Sequence, residues 1–223
     1  MGPEHSQSRD PRLRADAQRN RDQILRAARE TFAVRGIDAP LTTIARRAGV
    51  GAATLYRRFP TRETLVAETF AHQFGECTTA LDDALADPDP WHGLRRLIGT
   101  VCALQAADRG FTQAFLARHP HAVDSEKLTD TERKMAELVH KCRRAGKVRP
   151  DLTPDDITLA FIANAGVITR LRHPERASAR LAAQLLRAFA TDPDHPLPSA
   201  PALELLPLLQ SQEFNVPDPQ KRT

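Results

Sequence analysis

The segment from residue 41 to residue 65, LTTIARRAGVGAATLYRRFPTRETL, constrains the fold more than any other stretch. Two short helices that cross closely need a small residue where they meet, a residue tolerant of positive φ at the turn, and an apolar residue that locks the pair. Ala45, Gly49 and Val50 stand in that order. The spacing predicts one helix over residues 41–48, entered through Pro40 and broken by Gly49, and a second over 52–59, stopped by Pro60. Upstream, Ile24, Ala28 and Phe32 recur every fourth residue and Gly36 follows the last turn, which predicts an amphipathic helix from about Arg19. Downstream, Thr61 offers an N-cap, with Glu63 in the first turn, to a longer fourth helix carrying Leu65, Val66, Thr69 and Phe70.

The remainder is also patterned for helices. After the turn cluster Asp87-Pro88-Asp89-Pro90, Leu94, Leu97, Ile98, Val101 and Leu104 repeat at helical spacing, and residues 111–117 form a shorter segment. Leu128, Met135, Leu138, Val139 and Cys142 mark a long helix ended by Gly146 and Pro150. Thr153-Pro154-Asp155-Asp156 caps another over 153–171, and Leu181, Leu185 and Phe189 place a last one over 175–189. No run of alternating β-branched residues is long enough for a strand. The expected fold is all-α: a three-helix helix-turn-helix domain followed by a helical body, about nine helices in total. Residues 1–18 read as a mobile basic arm, 19–62 as the head, 63–191 as the body and 192–223 as a Pro-rich tail, in which 202–210 is a candidate short helix.

Composition narrows the function. Hydrophobic residues make up 41% and charged residues 27%, proportions of a globular chain. No run of 18 apolar residues occurs and the first residues lack the apolar core of a secretory signal, so no membrane contact and a cytoplasmic location are expected. Cys77, Cys102 and Cys142 lack metal-ligand spacing and read as buried thiols. His119-Pro120-His121 has no Cys or acid cluster beside it, so neither metal nor cofactor is expected. Catalytic signatures such as GxSxG, HExxH or a glycine-rich phosphate loop are absent from the sequence, so no enzyme is expected. Residues 1–60 hold twelve Arg against six acidic residues, although the whole chain carries only +4. A basic end of this kind suits a polyanion, and equally a solvated basic face.

A helix that enters a major groove must present donors for phosphates and base edges, and Thr54, Tyr56, Arg57 and Arg58 qualify, whereas Leu55 and Phe59 read as core. Gly49, Val50, Thr54, Leu55, Tyr56 and Phe59, followed by Arg62, Glu63 and Leu65, together resemble the recognition region of TetR-family regulators. The resemblance covers about residues 19–70, and the later helices agree with that family in number and length. It implies a sequence-specific DNA-binding transcription regulator, in which Tyr56 and Arg62 hold phosphates and Thr42, Ala52, Ala53 and Arg57 lie near bases. Thr43, Thr54 and Arg58 complete the candidate DNA-binding set. Gly51, Ala53 and Arg58 depart from the residues common at those positions, which leaves the base-reading code open, although alanines in a groove can touch a thymine methyl. Arg9, Arg12, Arg14, Arg19 and Arg21 are candidates for a second contact from the arm.

The resemblance further implies a homodimer on a palindromic double-stranded operator, joined through the helices near 153–171 and 175–190. Ala160, Ala163, Ala165 and Gly166 are small enough for close helix approach there. It also implies a body pocket for a small-molecule effector that releases a repressor from its operator. Candidate walls are Trp91, Ile98, Cys102, Phe111, Phe115 and Phe161, with Gln105, Gln113 and Asn164 as polar anchors. A ligand-responsive activator, and an all-α interaction protein without specific DNA binding, are the alternatives.

Overall fold

The computed structural model describes residues 11–117, 125–171 and 173–191. The helices in chain order are α1 (Pro11–Arg35), α2 (Leu41–Arg47), α3 (Ala52–Arg58), α4 (Arg62–Thr69), α5 (Ala71–Ala86), α6 (Pro90–Ala107), α7 (Arg109–Ala117), α8 (Ser125–Arg144), α9 (Pro154–Arg170) and α10 (Glu175–Phe189). Among the described residues the one extended feature is an antiparallel bridge between Val148 and Ala190. The expected all-α architecture is therefore observed, with one helix more than the sequence suggests.

The extra helix arises at Phe70, where the predicted fourth helix bends into α4 and α5. Phe70 leaves the helical region at φ −110° and ψ 16°. Its buried ring sits 6.1 Å from Phe32 and 6.2 Å from Phe111, and Arg29 Nη2 donates to the Thr69 carbonyl at 2.7 Å. Phe70 N–H still donates to the Val66 carbonyl at 3.1 Å and Phe74 N–H to the Phe70 carbonyl at 3.0 Å, so helical bonding closes on one side of the bend and resumes on the other. Tertiary packing of one aromatic ring sets the bend, and local sequence carries no sign of it.

Helix α1 runs back to Pro11, through residues 11–18 that the sequence assigns to an arm. Arg, Leu, Ala and Gln there are good helix formers, but a helix turn with no apolar stripe leaves no periodic signal. Residues 1–10, including Arg9, the His119-Pro120-His121 segment and the tail from 192 onward lie outside the described residues.

Two apolar cores organise the chain. Ile24, Ala28 and Phe32 of α1 meet Ile44, Ala45, Leu55, Phe59, Leu65 and Phe70 in the head core. Leu94, Leu97, Ile98 and Val101 of α6 meet Leu138 and Val139 of α8, Ile157 and Phe161 of α9, and Phe189 of α10 in the body core. Burying such side chains contributes roughly 1.5–3 kcal/mol each. Caps fix where the helices begin. Thr61 Oγ1 accepts from Thr64 N–H at 3.1 Å, Asp89 caps α6, and Thr153 and Asp156 form the reciprocal capping box of α9.

Candidate nucleic-acid interface

The interface is built on the turn between α2 and α3. Gly49 takes φ +68°, its N–H donates to the Arg46 carbonyl at 3.2 Å, and Val50 N–H donates to the Ala45 carbonyl at 3.0 Å. These two bonds satisfy the last carbonyls of α2 and turn the chain sharply, which residues with a Cβ resist at this φ. Ala45 is buried where the helices meet, as the spacing predicts.

Helix α3 then has two distinct faces. Leu55 and Phe59 are fully buried in the head core. Ala52, Ala53, Tyr56, Arg57 and Arg58 are exposed, with Tyr56 47% accessible despite its large ring, and Thr54 is half-buried. Among the described residues the side chains of Arg57 and Arg58 make no ion pair. On α2, Thr42 is exposed and Thr43 half-buried. Eight of the nine candidate DNA-binding residues thus lie on two neighbouring short helices, and Arg62 stands apart from them at the start of α4.

Arg62 is committed inside the head. Its Nη1 donates at 2.6 Å to both the Ile37 and the Ala39 carbonyls, so the side chain ties α4 to the loop that feeds α2. Other arginines of the basic end have similar internal work. Arg21 pairs with Glu68 at 2.6 Å, Arg47 with Glu30 at 2.7 Å, and Arg29 holds Thr69 and Gln73. The charge of the first sixty residues therefore includes a structural part and an exposed part, to which Arg57 and Arg58 of α3 and also Arg26, Arg35 and Arg46 belong.

The candidate pocket residues lie in and beside the two cores. Phe111 belongs to the head core, where it meets Phe70 and Phe74, and its ring also packs on Phe115 at 5.7 Å. Ile98 and Cys102 are packed into the body core, with Trp91 half-buried at its edge. Phe115 and Phe161 do meet, edge to face at 5.8 Å. Beside them Asn164 Nδ2 donates to Gln105 Oε1 at 2.7 Å, with both side chains fully buried. Thr112 Oγ1 donates to the Gln105 carbonyl at 2.7 Å and Ser178 Oγ to the Cys102 carbonyl at 3.2 Å, which makes a polar cluster between α6, α7, α9 and α10. Asn164 Oδ1 is buried and accepts from no donor among the described residues. Ser178 joins this cluster without having been expected there, although a Ser between Ala177 and Ala182 on the inward face of α10 is a legible signal. A cleft of about 530 Å³ lies elsewhere, between α5 and α6, lined by His72, Glu76, Thr79, Arg96 and Thr100 among others. None of the candidate pocket residues lines it.

Of the small residues on α9, Ala160 and Ala165 point inward, whereas Ala163 and Gly166 are exposed. They share their face with Leu159 and Ile162, which are 61% and 50% accessible. The three thiols are free, and burial pushes each up to about 12, with Glu76 adding to the effect at Cys77 and Asp89 at Cys142. No helix of the described residues is long and apolar enough to cross a membrane.

Comparison with known proteins follows the same division. Residues 24–69 match the family model described as bacterial regulatory proteins, tetR family, and residues 89–190 match the SbtR-like transcriptional regulator C-terminal domain. A TetR transcriptional regulator from Streptomyces coelicolor is 31% identical over 76% of this chain and 98% of its own, with a TM-score of 0.47. The TetR family regulator PfmR from Thermus thermophilus is 20% identical over 74% of this chain and 97% of its own, with a TM-score of 0.57. The fatty acid degradation regulator FadR from Bacillus halodurans is 19% identical over 75% of this chain and 94% of its own, with a TM-score of 0.54. No curated protein matches the chain.

Proposed function

We propose, from the premise that this chain belongs to the TetR family of bacterial regulatory proteins and is a DNA-binding transcription regulator, that it is a homodimeric repressor released from a palindromic operator by a small molecule. The observation that carries the DNA reading is the division of α3. Leu55 and Phe59 anchor the helix, and nothing among the described residues covers Ala52, Ala53, Tyr56 and Arg57 on its other side.

In this account Tyr56 holds a phosphate through its hydroxyl, and Arg57 reads a base edge, for which a guanidinium has the bidentate geometry that guanine presents. Thr42, Thr43, Thr54 and Arg58 add backbone contacts, and Ala52 and Ala53 let the helix approach closely. Arg62 works chiefly from behind by holding the loop into α2, with Nε and Nη2 left over for a phosphate.

One such head makes few contacts, and pairing doubles them at a fixed spacing. The exposed Leu159, Ile162, Ala163 and Gly166 of α9 support pairing there, because an apolar face of that kind is costly in water. The effector reading is supported by Asn164 Oδ1, a buried acceptor that a ligand donor would satisfy. An effector acts only by binding one head spacing better than the other.

Selection of genomic fragments by the purified full-length protein tests this reading. It expects a two-fold symmetric consensus bound by an even number of chains, and recovery of random fragments would reject it.

A further inference from the structure

Helix α7 reaches into both cores. Phe111 and Ala114 lie in the head core, while Phe115 packs edge to face on Phe161 of α9. From the same helix Gln113 reaches the loop between α1 and α2, where its Oε1 accepts the Ile37 N–H at 3.0 Å. This amide lies just beyond the end of α1, outside any helical ladder, and Ile37 is buried. The carbonyl of the same residue is held by Arg62 at 2.6 Å. Ile37 is therefore gripped at its N–H by a helix of the body and at its C=O by the helix that follows the DNA-reading pair.

The fit is close. A Cβ on residue 36 would stand 2.9 Å from Gln113 Oε1, and Gly36 has φ +78°, so glycine alone suits both the turn and the approach of the glutamine. Four residues further on, Pro40 is the last residue before α2. The position of the 36–40 loop thus sets where the helix-turn-helix begins. A side chain 76 residues away in sequence holds that loop, together with the two Arg62 bonds and the burial of Ile37 and Ala39.

We infer that Gln113 is a positioning residue for DNA reading: through Ile37 it fixes the entry of the helix-turn-helix relative to the body. The inference rests on the operator-binding function proposed above. On the body side Thr112 holds the Gln105 backbone carbonyl while the Gln105 side chain pairs with Asn164, so the polar cluster of the body abuts the helix that carries Gln113.

The test uses the full-length protein as wild type, Gln113→Leu, Gln113→Glu, and Leu116→Ala as an exposed control on the same helix. Hydrogen exchange is followed at the Ile37 amide, and affinity is measured for the duplex best enriched by the wild type and for its scrambled counterpart. Gln113→Leu is expected to speed Ile37 exchange by about tenfold or more. It is also expected to weaken binding of the enriched duplex about threefold to tenfold without changing the scrambled one. Gln113→Glu keeps an acceptor oxygen and restores both readouts, which lost packing alone would not explain. If the leucine variant fails to fold, Gln113→Ala takes its place with the same expectations. Wild-type exchange and wild-type duplex preference in the leucine variant, or a glutamate variant no better than leucine, would overturn the inference. A wild type that prefers no duplex sinks the operator function instead, and Ile37 exchange in the leucine and glutamate variants still decides the clasp.

Discussion

Asn164 donates to Gln105 across the contact between α6 and α9 at 2.7 Å, while its own carbonyl oxygen, equally buried, accepts from no donor among the described residues. A buried amide that is half satisfied costs stability, and breaking the pair from one side costs more because the survivor loses its partner. Asn164→Leu is expected to lower unfolding stability by about 1–3 kcal/mol in urea denaturation. Adding Gln105→Leu should recover part of that loss, a non-additivity the double-mutant cycle reads directly. Strict additivity would mean that the pair is not coupled.

The head makes a separable prediction for its reading residues. Tyr56→Ala should weaken every duplex alike, whereas Arg57→Ala should cost about 1–3 kcal/mol at one base-pair position and relax preference there. Competition binding against a library of single-base variants distinguishes the two. Arg62→Ala should lower the melting temperature of the free protein as well as DNA affinity, because two loop carbonyls lose their donor.

Gly49 isolates a backbone effect. No atom lies within 4 Å of the place where a Cβ would stand, so Gly49→Ala meets only the strain of φ +68°, about 1–2 kcal/mol by thermal or chemical denaturation. Gly49→Asn should cost less, since asparagine tolerates the left-handed region better than alanine. An alanine variant as stable as wild type would contradict the turn geometry.

At the start of α6, His92 Nδ1 lies 2.7 Å from Asp87 Oδ2. The hydrogen bond to His92, followed by that from the Asp89 N–H, holds the Asp87 carboxyl below its ordinary range. A carboxylate lowered by folding contributes stability above its unfolded pKa and loses it as pH falls through the folded value. His92→Ala should therefore move the Asp87 titration upward, followed by carboxyl NMR, and should flatten the acid limb of the stability curve.

What the sequence reveals and what it hides follow from the range of the forces involved. The turn at Gly49 is legible because its bonds join residues at most five apart, and the caps at Thr61 and Thr153 are legible for the same reason. The bend at Phe70 is hidden, because it depends on Phe32, Phe111 and Arg29, which lie far away in sequence. On α3 the candidate residues are legible, since one short helix needs only its apolar positions subtracted. Arg62 shows its charge in the sequence but not the two carbonyls that occupy it. Gln113 shows its class, and class alone suggests a pocket anchor, whereas the structure turns it toward Ile37. Aromatic and amide residues of the body are the hardest to sort, because a core and a ligand pocket draw on the same residue types.

The central claim is that the exposed face of α3 reads one DNA sequence. It is tested most directly by titrating the full-length protein with its enriched duplex and a scrambled one over a series of salt concentrations. The account predicts that affinity for both falls steeply as salt rises, while the enriched duplex stays preferred by about a thousandfold or more. Equal affinity for the two duplexes at every salt concentration would contradict it.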